Sequence, residues 1–425
     1  MRENFLHYLW LHKKFNTNQL KTTERNSVQI VSVGSPNTNS GPDFFNAQLY
    51  INKQLWAGNV EVHIKSSDWY VHLHEQDKNY DNAILHVVWE HDSDVYRKDN
   101  SVIPTLELQH IISPIALANY YKLFSKKKQW INCERDFEST NDFVMNHWLE
   151  RLYFERLEKK SQAIEALLKI SKNNWEAVLF KMLAKNFGLK VNGEAFLSLA
   201  NSFDFSILQK LQSKPKQLEA LFFGQAQLLL IDSQDNYVLK LQKEYTYLKQ
   251  KFNLTSQGVL PLQFFRLRPP NFPTIRLSQL AQIYHQQSHL FSKVIKAQNK
   301  EGLYTIFSVA TSLYWESHFS FGKPSKVSKK KITKRFIDLL ILNTIIPLKF
   351  SYAKHHGTLN NKTLIDLIQQ IASEQNSIVK KFNDLKPVSN SALRSQALLQ
   401  LKSEYCDKNK CLQCAIGNAL LNRND

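Results

Sequence analysis

The sequence predicts an α+β N-terminal domain, ordered helix, three strands, helix, strands, followed by a large mostly α-helical domain. Three observations predict it. Runs of β-branched and alternating residues are confined to residues 27–108. From residue 141 onward the apolar residues recur with helical spacing and strand signals nearly vanish. Glycine is sparse, 11 of 425 residues, as an α-rich chain requires.

The elements follow in order. Phe5, Leu6, Leu9, Trp10 and Phe15 fall at helical spacing over residues 2–15. Residues 27–33 form a β-branched run that stops at Gly34, and 35–40 (SPNTNS) carry loop chemistry. Strands are expected at 44–51 and 55–64, joined by a tight turn at Asn52 and Lys53. Ser66, Ser67 and Asp68 can cap a short helix. The unbroken apolar run 83–89 (AILHVVW) reads as a buried strand, and 102–108 as the last one. Beyond it, helical periodicity covers 143–170, 175–187, 217–230, 237–252, 275–297 and 362–383. No repeat of fixed period supports a solenoid. The expected domains are 1–125 and 126–425.

Composition narrows the function. Hydrophobic residues make up 43% and charged residues 22%, enough apolar material for real cores. Lys and Arg number 55 against 37 acids, a net charge of +18. That excess favours a polyanionic partner, nucleic acid before membrane, with DNA favoured. A merely basic soluble protein is the competing reading. No apolar run nears the roughly 20 residues of a membrane span. Residues 1–15 hold no signal-peptide core. Four unevenly placed cysteines do not suggest a disulfide framework. The expected compartment is reducing cytoplasm.

Chemistry concentrates in the first domain. Pro42 and Asp43 stand at the mouth of the second strand; Glu61, His63 and Lys65 alternate along the third and share one face. An alternating strand with its polar face in water gives the same pattern. Two carboxylates from adjacent strands, with a basic group two residues on, also make a site for Mg²⁺ or Mn²⁺ that takes substrate phosphate. This arrangement resembles the PD-(D/E)XK nuclease superfamily. The resemblance implies that Asp43 and Glu61 are metal ligands and that Glu3 is the accessory acid of the first helix. His63 stands where that superfamily usually has Lys, which leaves Lys65 as the substitute.

Histidines compete for the same region, with His63, His72, His74, His86 and His91 inside 29 residues. His72 and His74 are alternative ligands, for Zn²⁺ or Mn²⁺; locally hydrogen-bonded histidines are the plainer reading. His86, within an apolar strand, reads as a satisfied buried histidine.

In the second domain, Arg266, Arg268 and Arg276 flank a proline-stiffened turn entering a helix, a placement suited to phosphate. A buried turn whose arginines pair with Glu219 or Glu244 fits equally. The run 323–335, with Lys329, Lys330 and Lys331, reads as a mobile basic loop that contacts phosphate or is simply solvated. Cys406, Cys411 and Cys414 have C-x4-C-x2-C spacing, and Cys133 is the sole other cysteine. The set suits an iron–sulfur cluster or Zn²⁺, with ordinary buried thiols as the alternative.

The strings GPDFFNA (41–47), GNVEVHIKSSDWYVHLH (58–74), LHVVWEHD (85–92), RLRPPNFPTIRLSQLA (266–281) and YCDKNKCLQC (405–414) resemble an uncharacterised bacterial family, domain of unknown function 2851, along the whole chain. That resemblance supplies no activity. The residues themselves point to a metal-dependent nuclease acting on DNA. The alternatives are a non-catalytic nucleic-acid-binding or scaffold protein on a nuclease-like core, and a Zn-dependent hydrolase built on the histidines.

Overall fold

A computed structural model describes residues 1–125 and 129–423. The chain divides into two compact units, Met1–Trp148 with Leu401–Asp425, and Leu149–Gln400. The expected boundary at 126 falls outside the described residues. The division lies later, and the last segment belongs with the N-terminal unit.

The first unit opens with α1 (Glu3–Leu11) and then builds β1 (Leu20–Lys21), β2 (Ser27–Ser32), β3 (Ser35–Pro36), β4 (Phe44–Ile51) and β5 (Gln54–Lys65). A short helix α2 (Asp68–Val71) and two single turns lead to β6 (Ala83–Glu90) and β7 (Thr105–Glu107), followed by α3 (Pro114–Leu123). The strand order is β1-β2-β4-β5-β6-β7, with β3 also paired to β4. Pairing is antiparallel up to β5, then parallel from β5 to β6 and β6 to β7.

Burial explains the pattern. β4 alternates between buried and exposed residues, as a strand with one wet face does. β6 is buried on both faces, matching its unbroken apolar run. Phe5, Leu6, Leu9 and Trp10 of α1 join Val60, Val62, Leu85 and Val87 in one core, to which Leu412 and Leu421 also belong. Trp69, Tyr80, Val95 and Ile103 form a second, smaller core.

The second unit is helical with an aromatic core, in which Phe180 meets Phe203, Phe205, Phe222 and Tyr284. Two expected helices are each broken in two. Residues 275–297 form Pro273–Gln286 and Leu290–Lys296, because His289 adopts left-handed φ. Residues 362–383 form Asn361–Gln369 and Ser377–Leu385. The basic run is not a free loop. Lys323–Pro324 pairs with His318–Ser320, and Lys331 bridges to Ala310. One continuous helical stretch, Lys334–His355, is long and apolar enough to cross a membrane, which the sequence reading did not anticipate; 67% of its apolar window is buried within the protein. A turn of π-helix, Ile341–Ile345, interrupts it.

Candidate metal centre

The loop before β4 is pinned first. The Asn37 side-chain amide donates to the carbonyls of Asn39, Ser40, Gly41 and Pro42 at 3.1–3.3 Å, and its backbone N–H donates to the Asp43 carbonyl at 2.7 Å. Gly41 takes φ +99°, a conformation that other residues rarely adopt. Asp43 is thereby fixed beside β5. Its Oδ2 accepts from the Val62 amide at 3.1 Å and lies 3.2 Å from His7 Nε2. The Asp43 amide in turn donates to Glu61 Oε2 at 3.0 Å.

Glu61 therefore commits one oxygen to the loop and aims the other elsewhere. Its Oε1 lies 3.3 Å from His74 Nε2 and 3.5 Å from His63 Nε2. His63 Nε2 lies 3.0 Å from His72 Nδ1. The ligating atoms of His63, His72 and His74 all fall within 4.8 Å of one another. The parallel register sets Glu61 beside His86, and His86 Nε2 reaches His63 Nδ1 at 2.8 Å.

Local backbone brings the two later histidines back over the strand. Ser66 and Ser67 bind the Asp92 carboxylate, and Asp68 accepts from the Lys65 amide, which sets α2 at the end of β5. His72 ends α2. Leu73 then takes φ +59° and ψ +33°, an unusual cost for a non-glycine residue, and turns His74 into the cluster. The Tyr80 ring stacks on His74 with centroids 3.8 Å apart.

Burial keeps His63 and His86 neutral. Burial, reinforced by His86, His74 and His72, pushes the His63 pKa down to about 2. Burial, then His74 and His91, lowers His86 to about 3. Burial raises Glu61, against the hydrogen bond from His74, and raises Glu3, with Asp43 adding repulsion. Burial alone would lower His7, but Asp43 outweighs it and holds its pKa up.

The donors fit a divalent transition metal. His74 Nε2 is buried and faces Glu61 Oε1 at 3.3 Å. His86 can accept from His63 Nδ1, which leaves the His63 Nε2 lone pair free to ligate. Three neutral imidazoles and one carboxylate suit Zn²⁺ or Mn²⁺ better than Mg²⁺, which prefers oxygen. His63 is buried while His72 is exposed, so the group opens to solvent on one side.

The expected residues divide accordingly. Glu61, His63, His72 and His74 come together. Asp43 adjoins them through Glu61, and Glu3 interacts electrostatically with Asp43, His7 and His72. Lys65 turns away, its Nζ 3.7 Å from Asp92 and 3.9 Å from Glu90. Sequence reasoning missed His7, although Glu3 and His7 stand one helical turn apart on α1. It also missed the bond from His86 to His63.

Among the basic candidates, Arg266, Arg268, Lys329 and Lys331 are exposed. Arg276 and Lys330 are corrected. Arg276 is buried, donates to Gln279 and Asn271 at 2.9 and 2.6 Å, and lies 3.7 Å from the Phe336 ring centroid. Neither Glu219 nor Glu244 is its partner in these contacts. Lys330 is buried and donates to the carbonyls of Trp315 and Glu316. Neither side chain is exposed to take phosphate.

A family described as Protein of unknown function (DUF2851) matches residues 3–377. No curated protein and no solved structure matches the chain.

Proposed function

From a chain that belongs to the DUF2851 family, we propose a metal-dependent phosphodiesterase, a nuclease acting on DNA in the cytoplasm. One observation carries this reading: Glu61 Oε1, His63 Nε2, His72 Nδ1 and His74 Nε2 converge as a ligand set. When bound, the metal would polarise a phosphoryl oxygen and lower the pKa of an attacking water. Glu61 orients the set through its Asp43 bond, and His86 fixes the ligating tautomer of His63. His7 points Nε2 at Asp43 Oδ2 at 3.2 Å, and a protonated His7 would balance that carboxylate beside the ligand set. The net charge of +18 supports a nucleic-acid substrate. Asp43 ahead of β4, Glu61 on β5 and Glu3 on α1 support a PD-(D/E)XK-like core whose metal ligation has moved toward histidine.

The test uses full-length protein stripped of metal and reloaded with Mn²⁺, Zn²⁺ or Mg²⁺, mixed with labelled single- and double-stranded DNA and RNA. Cleavage of DNA with Mn²⁺ or Zn²⁺ that disappears in Glu61→Gln and His74→Ala supports the proposal. Binding with no cleavage under any metal would instead make the protein a scaffold.

A further inference from the structure

All four cysteines of the chain line one cavity in the N-terminal unit. Cys133 follows α3, and the other three lie in the returning segment Leu401–Asp425. None forms a disulfide. Four thiols facing one space, Cys411 and Cys414 buried and Cys133 and Cys406 partly so, form a single group rather than two bridged pairs. The remaining walls are largely apolar, including Leu123, Ile131, Phe137 and Leu401.

Burial raises the pKa of all four thiols, so without a metal they stay protonated, and a few donors face them. Asn132 donates its side-chain amide to Cys411 Sγ at 3.4 Å. Burial raises the Cys414 pKa, and the nearby Gly417 and Ile416 backbone amides act against that rise. Such bonds serve an anionic ligand and are of little use to a neutral buried thiol. Lys402 adds positive charge near Cys406. Gly417 permits the loop to close, since a Cβ there would meet the Cys411 carbonyl at 2.1 Å.

Spacing separates one ion from a cluster. A single tetrahedral Zn²⁺ with bonds near 2.3 Å holds its sulfurs about 3.8 Å apart. All four cysteines line one cavity, three of them from a single returning segment. A multi-iron cluster spreads its thiolates around one such space, because iron and inorganic sulfide lie between them.

We propose that Cys133, Cys406, Cys411 and Cys414 ligate an iron–sulfur cluster, each thiol releasing its proton on binding. The cluster ties the returning segment to the residues after α3. The N-terminal unit already holds that segment, through Asn119 to the Leu421 and Arg423 carbonyls at 3.3 and 2.9 Å and through Asn422 to Tyr8 at 3.2 Å. This inference is independent of the histidine centre and is read without any activity.

The experiment is anaerobic purification of the full chain, with assays for iron, acid-labile sulfide and zinc, absorption spectroscopy, and electron paramagnetic resonance after reduction. Iron and sulfide in equal amounts, a brown chromophore, and loss of both in Cys411→Ser support the cluster. If that variant does not fold, chelator treatment of the natural protein takes its place: iron release must expose all four thiols together. Stoichiometric zinc in a colourless protein, retained in His74→Ala and lost in Cys411→Ser, overturns the proposal. So do four thiols that react freely in the native state, with no chromophore after incubation with ferrous iron and sulfide.

Discussion

His86 Nε2 lies 2.8 Å from His63 Nδ1, so a histidine on β6 sets the protonation of a candidate ligand on β5. Removing it leaves the His63 ring free to flip and to change tautomer. His86→Ala is expected to weaken Mn²⁺ or Zn²⁺ binding by roughly 10–100-fold, as loss of an orienting partner does. Calorimetric metal titration checks this, with circular dichroism to confirm folding. Unchanged affinity would remove His86 from the centre.

The same two histidines make the metal-free protein acid-sensitive. Their folded pKa values, about 2 and about 3, lie below the ordinary 6.5, so between these limits the unfolded chain binds more protons. Their contribution is therefore complete above pH 6.5 and is lost as pH falls. Each imidazole is expected to remove up to about 1.4 kcal/mol per pH unit below 6. Denaturant midpoints at pH 7 and pH 5 measure the loss, and bound metal should oppose it. A flat profile would mean that the histidines are not buried as described.

Lys160 titrates in the opposite range. Burial lowers its pKa to about 7, while its Nζ donates to the Leu342 carbonyl and to Asn343 in the π-helical turn. Between pH 7 and 10.5 the unfolded state holds more protons, so stability rises with pH as the buried charge is relieved. Natural protein should gain stability relative to Lys160→Met from pH 7 to pH 9, by at most about 1.4 kcal/mol per unit. A constant difference between the two would contradict the burial.

Two arginines should part company. Arg268→Ala is expected to weaken DNA binding and flatten its salt dependence by about one unit of slope. Arg276→Ala should leave the slope alone and cost about 2–4 kcal/mol of stability, because it strands Gln279 and Asn271 and empties the place over Phe336. Filter binding across a salt series and urea denaturation separate them. The reverse outcome would restore Arg276 to a phosphate site.

The helical unit has its own buried carboxyl group, whose pKa burial raises against three hydroxyl donors. Glu219 is 2% exposed and accepts from Ser278, Tyr237 and Ser312 at 2.5–3.0 Å. Glu219→Ala leaves three hydroxyls without their acceptor and should cost about 3 kcal/mol. Urea denaturation reads the cost. A loss below 1 kcal/mol would mean that water replaces the carboxylate.

Much of this was legible in the sequence, for identifiable reasons. The strand expected at 44–51 has the observed bounds of β4, and the continuous apolar run gave β6. Glu61 and His63 followed from the same pleat. Lys65 obeyed it too, yet acids across the sheet at Glu90 and Asp92 captured its charge, and pairing across strands is invisible in one sequence. The convergence of His72 and His74 depends on left-handed Leu73, a position without the glycine that would announce it. The prolines before Arg276 suit an exposed phosphate-binding turn and a buried one equally. The helix that follows is buried from Pro273 to Tyr284.

The most direct test of the central claim is calorimetric titration of the stripped full chain with Mn²⁺, an ion that favours oxygen and nitrogen over thiolate. The account predicts one equivalent bound by the natural protein. It also predicts loss of that binding by at least about 10²-fold in both Glu61→Gln and His74→Ala, with both variants folded. Equal binding by all three proteins, or no binding by any, would contradict it.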